Sequence, residues 1–321
     1  MKKLFIGILA MAAMAACATE DTIVTPQGQA IAFGDAFVDN ATKAIIASAN
    51  DIQGFTVFGN VKGTGQGASA NTVVLYGNSG ANVEKKNGVW ECSETRYWTP
   101  TCAFNFAAVA NGTGTDIVNG LPTKISYTLD ATVPADLIYA TAAATTNASG
   151  VATAAEGSSV NNGVVGFTFA HLLSKMYFTV TSDLDPAYAI DVKSISVTGF
   201  ENKGVYTISP AEGKANWAKA DDSVATTLTF ANGEGGAQLI IPVAQALNVT
   251  VTYDVKFGVG EGEKEVISAN ATKTGTIAST TYKENTVYKI SAAIGLNEIK
   301  FTTTAVSGFG TPEQSGSVTI Q

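Results

Sequence analysis

Apolar and polar residues alternate over short stretches along most of the chain, and this pattern predicts many β-strands. The alternation is clearest over Val249, Val251, Tyr253, Val255 and Phe257. Other stretches with a period of two contain Ile31 and Phe33, Phe55 and Val57, Phe104 and Phe106, Ile125 and Tyr127, Phe167 and Phe169, and Tyr288 and Ile290. Spacing typical of an amphipathic helix is scarce. Many short strands separated by Gly-rich turns indicate an all-β sandwich fold and not a parallel α/β fold.

A stretch of small and polar residues in the middle of the chain divides these strands into two groups. Residues 141–163 are mostly Ala, Thr, Ser, Gly and Asn without a periodic apolar pattern, which is typical of a long loop or a connection between domains. We therefore expect two β-sandwich domains, at 31–163 and 164–321, each large enough to bury a core. Residues 17–30 show no periodicity, and we expect them to form a tether.

The first seventeen residues have the layout of an export signal. Lys2 and Lys3 give a positive start, residues 4–16 are apolar but too short to span a bilayer, and small residues precede Cys17. A cysteine here resembles the lipidation site of bacterial lipoproteins; the alternative is a buried N-terminal helix with an incidental cysteine. We expect residues 1–16 to be removed as a signal peptide and Cys17 to carry lipid, such as palmitate, that holds the protein at the outer membrane.

Charge and composition narrow the class of protein. The formal net charge is −8 at pH 7, and it becomes −10 once the two lysines of residues 1–16 are removed. Such an acidic chain argues against nucleic acid as a partner. Charged residues make up only 14% of the chain, while β-branched residues and Gly are abundant. This composition is typical of extracellular β-rich proteins.

Two cysteines remain beyond the one expected to carry lipid. Cys92 and Cys102 lie in one exported segment, where a disulfide is permitted, and their separation fits a bridge across a hairpin or turn. The alternative is that both are small buried hydrophobic residues. The spacing does not decide between these two interpretations.

Candidate catalytic residues are few. His171 is the only histidine, so the chain lacks the partner arrangements of Ser-His-Asp and Cys-His catalysis and of multi-His zinc sites. We expect His171 to be structural, with its ring packed and its nitrogens bonded to backbone. The carboxylates of 221–222 and 261–265 lie in polar turn-rich stretches, and the Gly-rich run 63–67 has no following helix to bind a phosphate. We predict no enzyme, no metal and no cofactor.

Three aromatic residues cluster around the two cysteines. They are Trp90, Tyr97 and Trp98. Packing in a core or an interface is one interpretation. The other is an exposed platform for a host or glycan ligand, because exposed aromatic rings bind sugars.

Several segments together resemble the fimbrillins, the subunits and tips of type V pili in Gram-negative anaerobes. The similar segments, in the family's order, are 42–44, 55–59, Trp90 with 96–98 and 104–107, 136–140, 169–175, 239–242 and 288–301. The run Phe-Ala-His-Leu-Leu-Ser-Lys at 169–175 resembles the most recognisable motif of the family. The resemblance implies two transthyretin-like β-sandwich domains in tandem, a place on the cell surface, and a non-catalytic role in assembly with other pilus subunits and in adhesion.

The resemblance also implies a maturation step. Fimbrillins are cleaved after an arginine, which releases the first strand and opens a groove that a neighbouring subunit fills. Here Lys43 stands at that position, followed by Ala44, so the protease would have to be trypsin-like and accept lysine. The leaving strand would carry Ile31, Phe33 and Phe37. The donor would be the C-terminal tail, Thr302–Gln321, in which Phe309, Val318 and Ile320 would fill the groove.

Two other functions stay open at the level of sequence. One is a surface glycan-binding lipoprotein that uses the region of Trp90 and Trp98. The other is an uncleaved pilus anchor subunit, kept at the membrane by the lipid on Cys17. A mature chain that starts at Cys17 would indicate the anchor, whereas one that starts at Ala44 would indicate a stalk or tip subunit.

Overall fold

The computed structural model describes residues 28–38, 52–64, 71–258, 264–307 and 317–319. Nearly all regular structure in these ranges is β. It comprises 23 strands and a single 3-10 turn at Glu234–Gly236. The all-β fold expected from the alternation of apolar and polar residues is confirmed.

Twelve strands lie in the first half of the chain. They are β1 (Ala32–Val38), β2 (Gly54–Gly63), β3 (Thr72–Val74), β4 (Ala81–Lys86), β5 (Val89–Cys92), β6 (Cys102–Ala110), β7 (Thr113–Val118), β8 (Leu121–Thr128), β9 (Ile138–Thr146), β10 (Ala152–Ala154), β11 (Ser159–Asn161) and β12 (Val164–His171). Ten of them form one sheet with the main order β1-β12-β9-β6-β2-β4-β5, and β3, β10 and β11 lie at its margins. The end strands β1 and β5 contact each other, so the sheet curls around its own core.

Large aromatic rings and small alanines share this core. The rings are Phe33, Phe55, Tyr76, Trp98, Phe104, Phe106, Phe167 and Phe169. Between them lie alanines of β6 and β9, among them Ala108, Ala140 and Ala142. Protein interiors are close-packed, so the alanines leave the volume that the rings fill.

Strand β9 corrects the interpretation of residues 141–163 as a loop. It continues through 141–146, pairs with β6 along its length, and pairs with β12 at its start. Its side chains alternate between the core, where Ala140, Ala142 and Ala144 lie, and the outside. Ala143 lies on the outer face and Thr146 on the buried face, so residue type does not follow the two faces and a count of apolar residues does not detect this alternation. Within the remainder of 141–163, β10 and β11 are short strands.

The first half of the structure extends to the end of strand β12, beyond the expected boundary at 163–164. Strand β12 starts at Val164 but pairs with β1 and β9, and Phe167 and Phe169 lie in the core of the first half. The chain leaves the first sheet only after His171. The expected boundary therefore differs from the structure by about eight residues, the length of β12.

The second half contains two facing sheets. Its strands are β13 (Ser174–Ser182), β14 (Tyr188–Glu201), β15 (Lys203–Thr207), β16 (Trp217–Lys219), β17 (Ala225–Phe230), β18 (Gln238–Ile240), β19 (Ala244–Phe257), β20 (Glu265–Thr281), β21 (Thr286–Ile294), β22 (Ile299–Ser307) and β23 (Ser317–Thr319). One sheet has the order β18-β13-β21-β22-β23 and the other β17-β14-β19-β20. Val249, Val251 and Tyr253 of β19 are buried, as the alternation predicts. Leu296 lies in the turn after β21 and is exposed.

A third sheet joins the two halves. It contains β7 and β8 from the first half and β15 and β16 from the second, in the order β16-β15-β8-β7. One apolar core continues through this region, from Phe58 in β2 to Phe301 in β22. The two halves therefore share a sheet and a core.

The crossover from β12 to β13 is held by backbone contacts on several sides. The Leu172 amide donates to the Leu137 carbonyl at 3.0 Å, and the Leu172 carbonyl accepts a bond from Trp217 Nε1 at 2.8 Å. One residue later, the Leu173 carbonyl accepts a bond from the Asn285 amide at 2.9 Å. These bonds fix the point where the chain passes from one half to the other.

The alternation in β9 can be tested by adding volume on each of its faces. Ala142 is buried opposite Phe106, so Ala142→Leu should overpack the core and lower the free energy of unfolding by about 1–3 kcal/mol. Thr141 is exposed, and Thr141→Leu should change it by less than about 0.5 kcal/mol. Urea denaturation of both variants is the measurement. Equal effects of the two substitutions would contradict the described orientation of β9.

Candidate assembly site

Strand β1 lies at one end of the large sheet and is its only parallel member in the described part of the chain. It pairs with β12 through Ala32 with Val164, Phe33 with Val165 and Gly34 with Gly166. The register then shifts, so that the next pair is Phe37 with Thr168, and β1 has one residue more than β12 between these pairs. Such an extra residue is a β-bulge, which interrupts the hydrogen-bond ladder.

Two apolar side chains fix β1 in the core. Ile31, just before the strand, and Phe33 are each only 4% exposed. The Phe33 ring contacts four other rings, with centroid distances of 5.8 Å to Phe106, 5.9 Å to Phe167, 6.2 Å to Tyr76 and 6.4 Å to Phe55. Removing β1 would leave an apolar groove lined by these rings. We call this groove the β1 slot.

The start of β1 is also held on the side away from β12. The Ile31 amide donates to the Arg96 carbonyl at 2.8 Å, and the Trp98 amide donates to the Gln29 carbonyl at 3.0 Å. Ala30 forms an antiparallel bridge with Tyr97 between these two bonds. The chain segment before β6 therefore covers the Ile31 end of the slot.

Several residues predicted from the sequence to act in assembly lie outside the described residues. They are Cys17, Lys43, Ala44, Phe309 and Ile320. Phe37 lies in β1 opposite Thr168, although the structure describes only its backbone. The roles of these residues stay predictions.

The tail contributes one short strand to the described structure. Val318 lies in β23, the edge strand of its sheet, which pairs antiparallel with β22 and places Val318 opposite Thr303. Three residue pairs hold β23 in this position. Residues 317–319 of the tail are therefore extended next to the second half of the same chain.

The three clustered aromatic residues do not form a shared platform. Trp98 is 1% exposed, its Nε1 donates to the Gly163 carbonyl at 3.0 Å, and its ring lies 4.7 Å from that of Phe104. The interpretation of Trp98 as a ligand-binding aromatic is therefore corrected to a core residue. Trp90 is half-buried, 5.3 Å from the Phe55 ring, while Tyr97 is 49% exposed.

Cys92 and Cys102 are both free thiols, so the structure contains no disulfide between them. Cys92 ends the edge strand β5 and is half-buried, while Cys102 begins β6, is buried, and lies 3.3 Å from the Pro100 carbonyl. Burial raises the pKa of both thiols, which keeps them protonated and lowers their reactivity. Their environment agrees with the alternative of two small buried residues.

His171 forms a buried pair with Asp136, a partner that the sequence did not indicate. His171 Nδ1 and Asp136 Oδ2 lie 2.8 Å apart, and both side chains are fully buried. We expected a backbone partner for the ring; here the bonded partner is a carboxylate. The pair connects the segment before β9 with the end of β12, where Ile138 lies opposite His171. Two of the segments that resemble the fimbrillins, 136–140 and 169–175, thus meet at one contact.

Other kinds of site are not found in the described ranges. No group of three His, Cys, Asp or Glu residues there is arranged to hold a metal ion. None of the helical structure in these ranges is long and apolar enough to cross a bilayer.

Comparisons with known proteins agree with the geometry. Among solved structures, a fimbrial protein from Bacteroides vulgatus is 16% identical, with a TM-score of 0.52 and coverage of 85% of this chain and 98% of that chain. A candidate cell adhesion protein from Bacteroides ovatus is 12% identical, with a TM-score of 0.51 and coverage of 87% and 97%. At sequence identities this low, the similarity to these two proteins shows only a shared fold. A search of curated proteins gives no match.

The fold is thus that of Bacteroides fimbrial proteins. A family model described as fimbrillin-like matches residues 42–307, which is most of the chain. The chain belongs to the fimbrillin-like family.

The buried pair of His171 and Asp136 can be tested with a double-mutant cycle. His171→Phe leaves the Asp136 carboxylate buried without the ring and should lower the free energy of unfolding by about 3–5 kcal/mol. Adding Asp136→Leu removes the buried carboxylate and should restore part of this loss. Urea denaturation of the wild type, both single variants and the double variant gives the coupling. Strictly additive effects would show that the two side chains do not stabilise each other.

Proposed function

We propose that this protein is a structural, non-catalytic subunit of a cell-surface type V pilus, at the stalk or the tip, that assembles by strand exchange at the β1 slot and serves adhesion. Membership in the fimbrillin-like family supports the pilus role. The observation that carries the assembly step is the position of β1. Strand β1 lies at the end of the large sheet. Its buried side chains complete a core that is formed by strands much later in the chain.

The energetics of the slot support exchange. Burying Ile31 and Phe33 contributes together about 3–6 kcal/mol. Loss of β1 would expose this apolar surface and would leave the backbone groups of β12 unpaired. An unpaired strand edge next to an apolar groove is a template for another extended segment, because backbone pairing gives affinity and alternate side chains give register.

The C-terminal tail has the length needed for a donor. At least 14 residues follow Ser307. Fully extended they reach about 46 Å, while a strand of seven residues such as β1 is about 23 Å long. In the described part of the tail, three residue pairs hold β23 on β22, and so short a contact favours its release. Val318 and Ile320 have the spacing of Ile31 and Phe33 and are the side chains that we assign to the slot.

Maturation would control when the slot opens. In the proposal, the lipid on Cys17 holds the precursor at the outer membrane, and cleavage between Lys43 and Ala44 separates β1 from the rest of the chain. Arg96 is the only arginine of the chain, and its guanidinium contacts Leu75, Glu94 and Tyr76. A lysine-accepting, trypsin-like protease therefore fits this chain better than an arginine-specific one.

Limited proteolysis tests the proposal. Trypsin under native conditions should give a stable core that starts at Ala44, and the core should then form ladders on denaturing gels run without heating. Lys43→Ala should prevent both the cleavage and the ladders, because it removes the lysine after which trypsin would cleave. N-terminal sequencing and gel analysis are the measurements.

Lys86→Ala is the matched control. Lys86 lies in an exposed hairpin and is 58% exposed, so its loss should leave cleavage after Lys43 and the ladders unchanged. A cleaved core that stays monomeric at high concentration would contradict the stalk role. A surface-derived mature chain that starts at Cys17 would instead indicate an uncleaved anchor.

A further inference from the structure

The two ends of β1 are held very differently. At its start, residues 29–31 are bonded to 96–98 on one side, and the Ala32 amide donates to the Gly163 carbonyl on the other at 3.3 Å. Towards its end, the bulge before Phe37 interrupts the pairing with β12. Among the described residues, strand β1 is therefore enclosed at the Ile31 end and held on one edge at the Phe37 end.

The segment that encloses the Ile31 end is 94–98, which we call the clamp. Arg96 fixes its middle. Its Nε donates to the Leu75 carbonyl, its guanidinium lies 2.6 Å from the Glu94 carboxylate, and the same group lies 5.8 Å from the centre of the Tyr76 ring. Tyr76 in turn contacts Phe33. Arg96 thus connects the backbone that covers Ile31 with a ring that lines the slot.

Trp98 fixes the other end of the clamp. Its indole bond to the Gly163 carbonyl ties the clamp to the residue before β12. Gly28 passes so close that a Cβ atom there would lie 2.4 Å from the Trp98 carbonyl oxygen. The clamp and the chain before β1 therefore fit together only with glycine at position 28.

We propose that the clamp gates strand exchange and that Arg96 is its positioning residue. Strand β1 detaches first at the Phe37 end, and a replacement strand enters there. The Ile31 end is exchanged last, after the clamp opens. The entry of a replacement strand rests on the proposed function, whereas the opening of the clamp is a property of the intact chain.

The contacts of Arg96 are not equal in strength. The pair with Glu94 is half exposed, with side-chain exposures of 40% and 41%, and exposed ion pairs stabilise little because water and salt screen them. The bond from Nε and the packing on Tyr76 need the planar guanidinium, which lysine does not have. Arg96→Lys should therefore open the clamp although it keeps the charge, whereas Glu94→Gln should not.

Hydrogen exchange of backbone amides in the intact chain, read by NMR, tests the clamp. In the wild type the Ile31 amide should exchange more slowly than the Val38 amide. Arg96→Lys should speed exchange at Ile31 about three- to tenfold, as expected from the loss of one ordinary hydrogen bond. Gly28→Ala, which pushes the clamp outward, should have at least this effect. Exchange at Val251, in the core of the second half, should not change in either variant.

Two controls separate a gate from general destabilisation. Glu94→Gln lies in the same segment and should alter Ile31 exchange less than twofold. Lys203, in strand β15 of the shared sheet, forms an exposed ion pair with Asp222. Lys203→Gln removes this pair and should leave the exchange rate at Ile31 unchanged. Faster exchange at Val251 in step with Ile31 would mean that Arg96 only stabilises the fold, and unchanged exchange at Ile31 in Arg96→Lys and Gly28→Ala would overturn the proposal.

A second readout keeps this result distinct from the assembly proposal. After trypsin treatment, the Arg96→Lys chain should form ladders faster than the wild type, and equal rates would contradict gating. If neither chain forms ladders, strand-exchange assembly fails as a function, while the exchange rates at Ile31 still decide whether the clamp controls the opening of β1.

Discussion

The contact of Phe33 with four aromatic rings determines how the first half of this protein is built. Those rings come from β2, β6 and β12 and from the turn after β3, and Phe33 fills the space between them. Alanines on β6 and β9 make that space available. The sheet curls until β1 meets β5, because only then are all the rings covered. A strand supplied by a distant part of the chain thus completes the core.

The second constraint is that the halves cannot move independently. The shared sheet of β7, β8, β15 and β16 and the continuous core behind it cross the boundary. At the crossover, the bonds of Leu172 and the pair of His171 with Asp136 lie within a few residues of each other. The histidine beside a carboxylate, which looks like a candidate for catalysis, is a fully buried contact within the first half, between the segment before β9 and the end of β12.

Much of the architecture is predictable from the sequence, because large side chains that alternate with polar ones reveal their strands. The prediction of strands fails where small residues carry the alternation, as in β9. The prediction of the domain boundary fails at β12, which pairs with strands that precede it. The local pattern contains no information about such distant partners. Within the candidate site, the alternation of apolar and polar residues identifies Ile31 and Phe33 as core residues of a strand. The clamp is not identifiable in this way, because the roles of Arg96 and Trp98 depend on contacts with Leu75 and Gly163.

Strand β12, which borders the slot, continues through the crossover into β13. β13 pairs in parallel with β21 over nine residue pairs, and β21 pairs with β22, whose end leads into the tail. A tensile load applied between a strand in the slot and the tail would therefore pass along these four strands. Ser174 lies opposite Thr286 and Val306 opposite Val287, so the start of β13 and the end of β22 lie at the same end of the sheet, beside the start of β21. Such a load would therefore act on the β13–β21–β22 sheet from one end. The nine pairs between β13 and β21, the most extensive parallel contact among the described strands, would resist opening from that end.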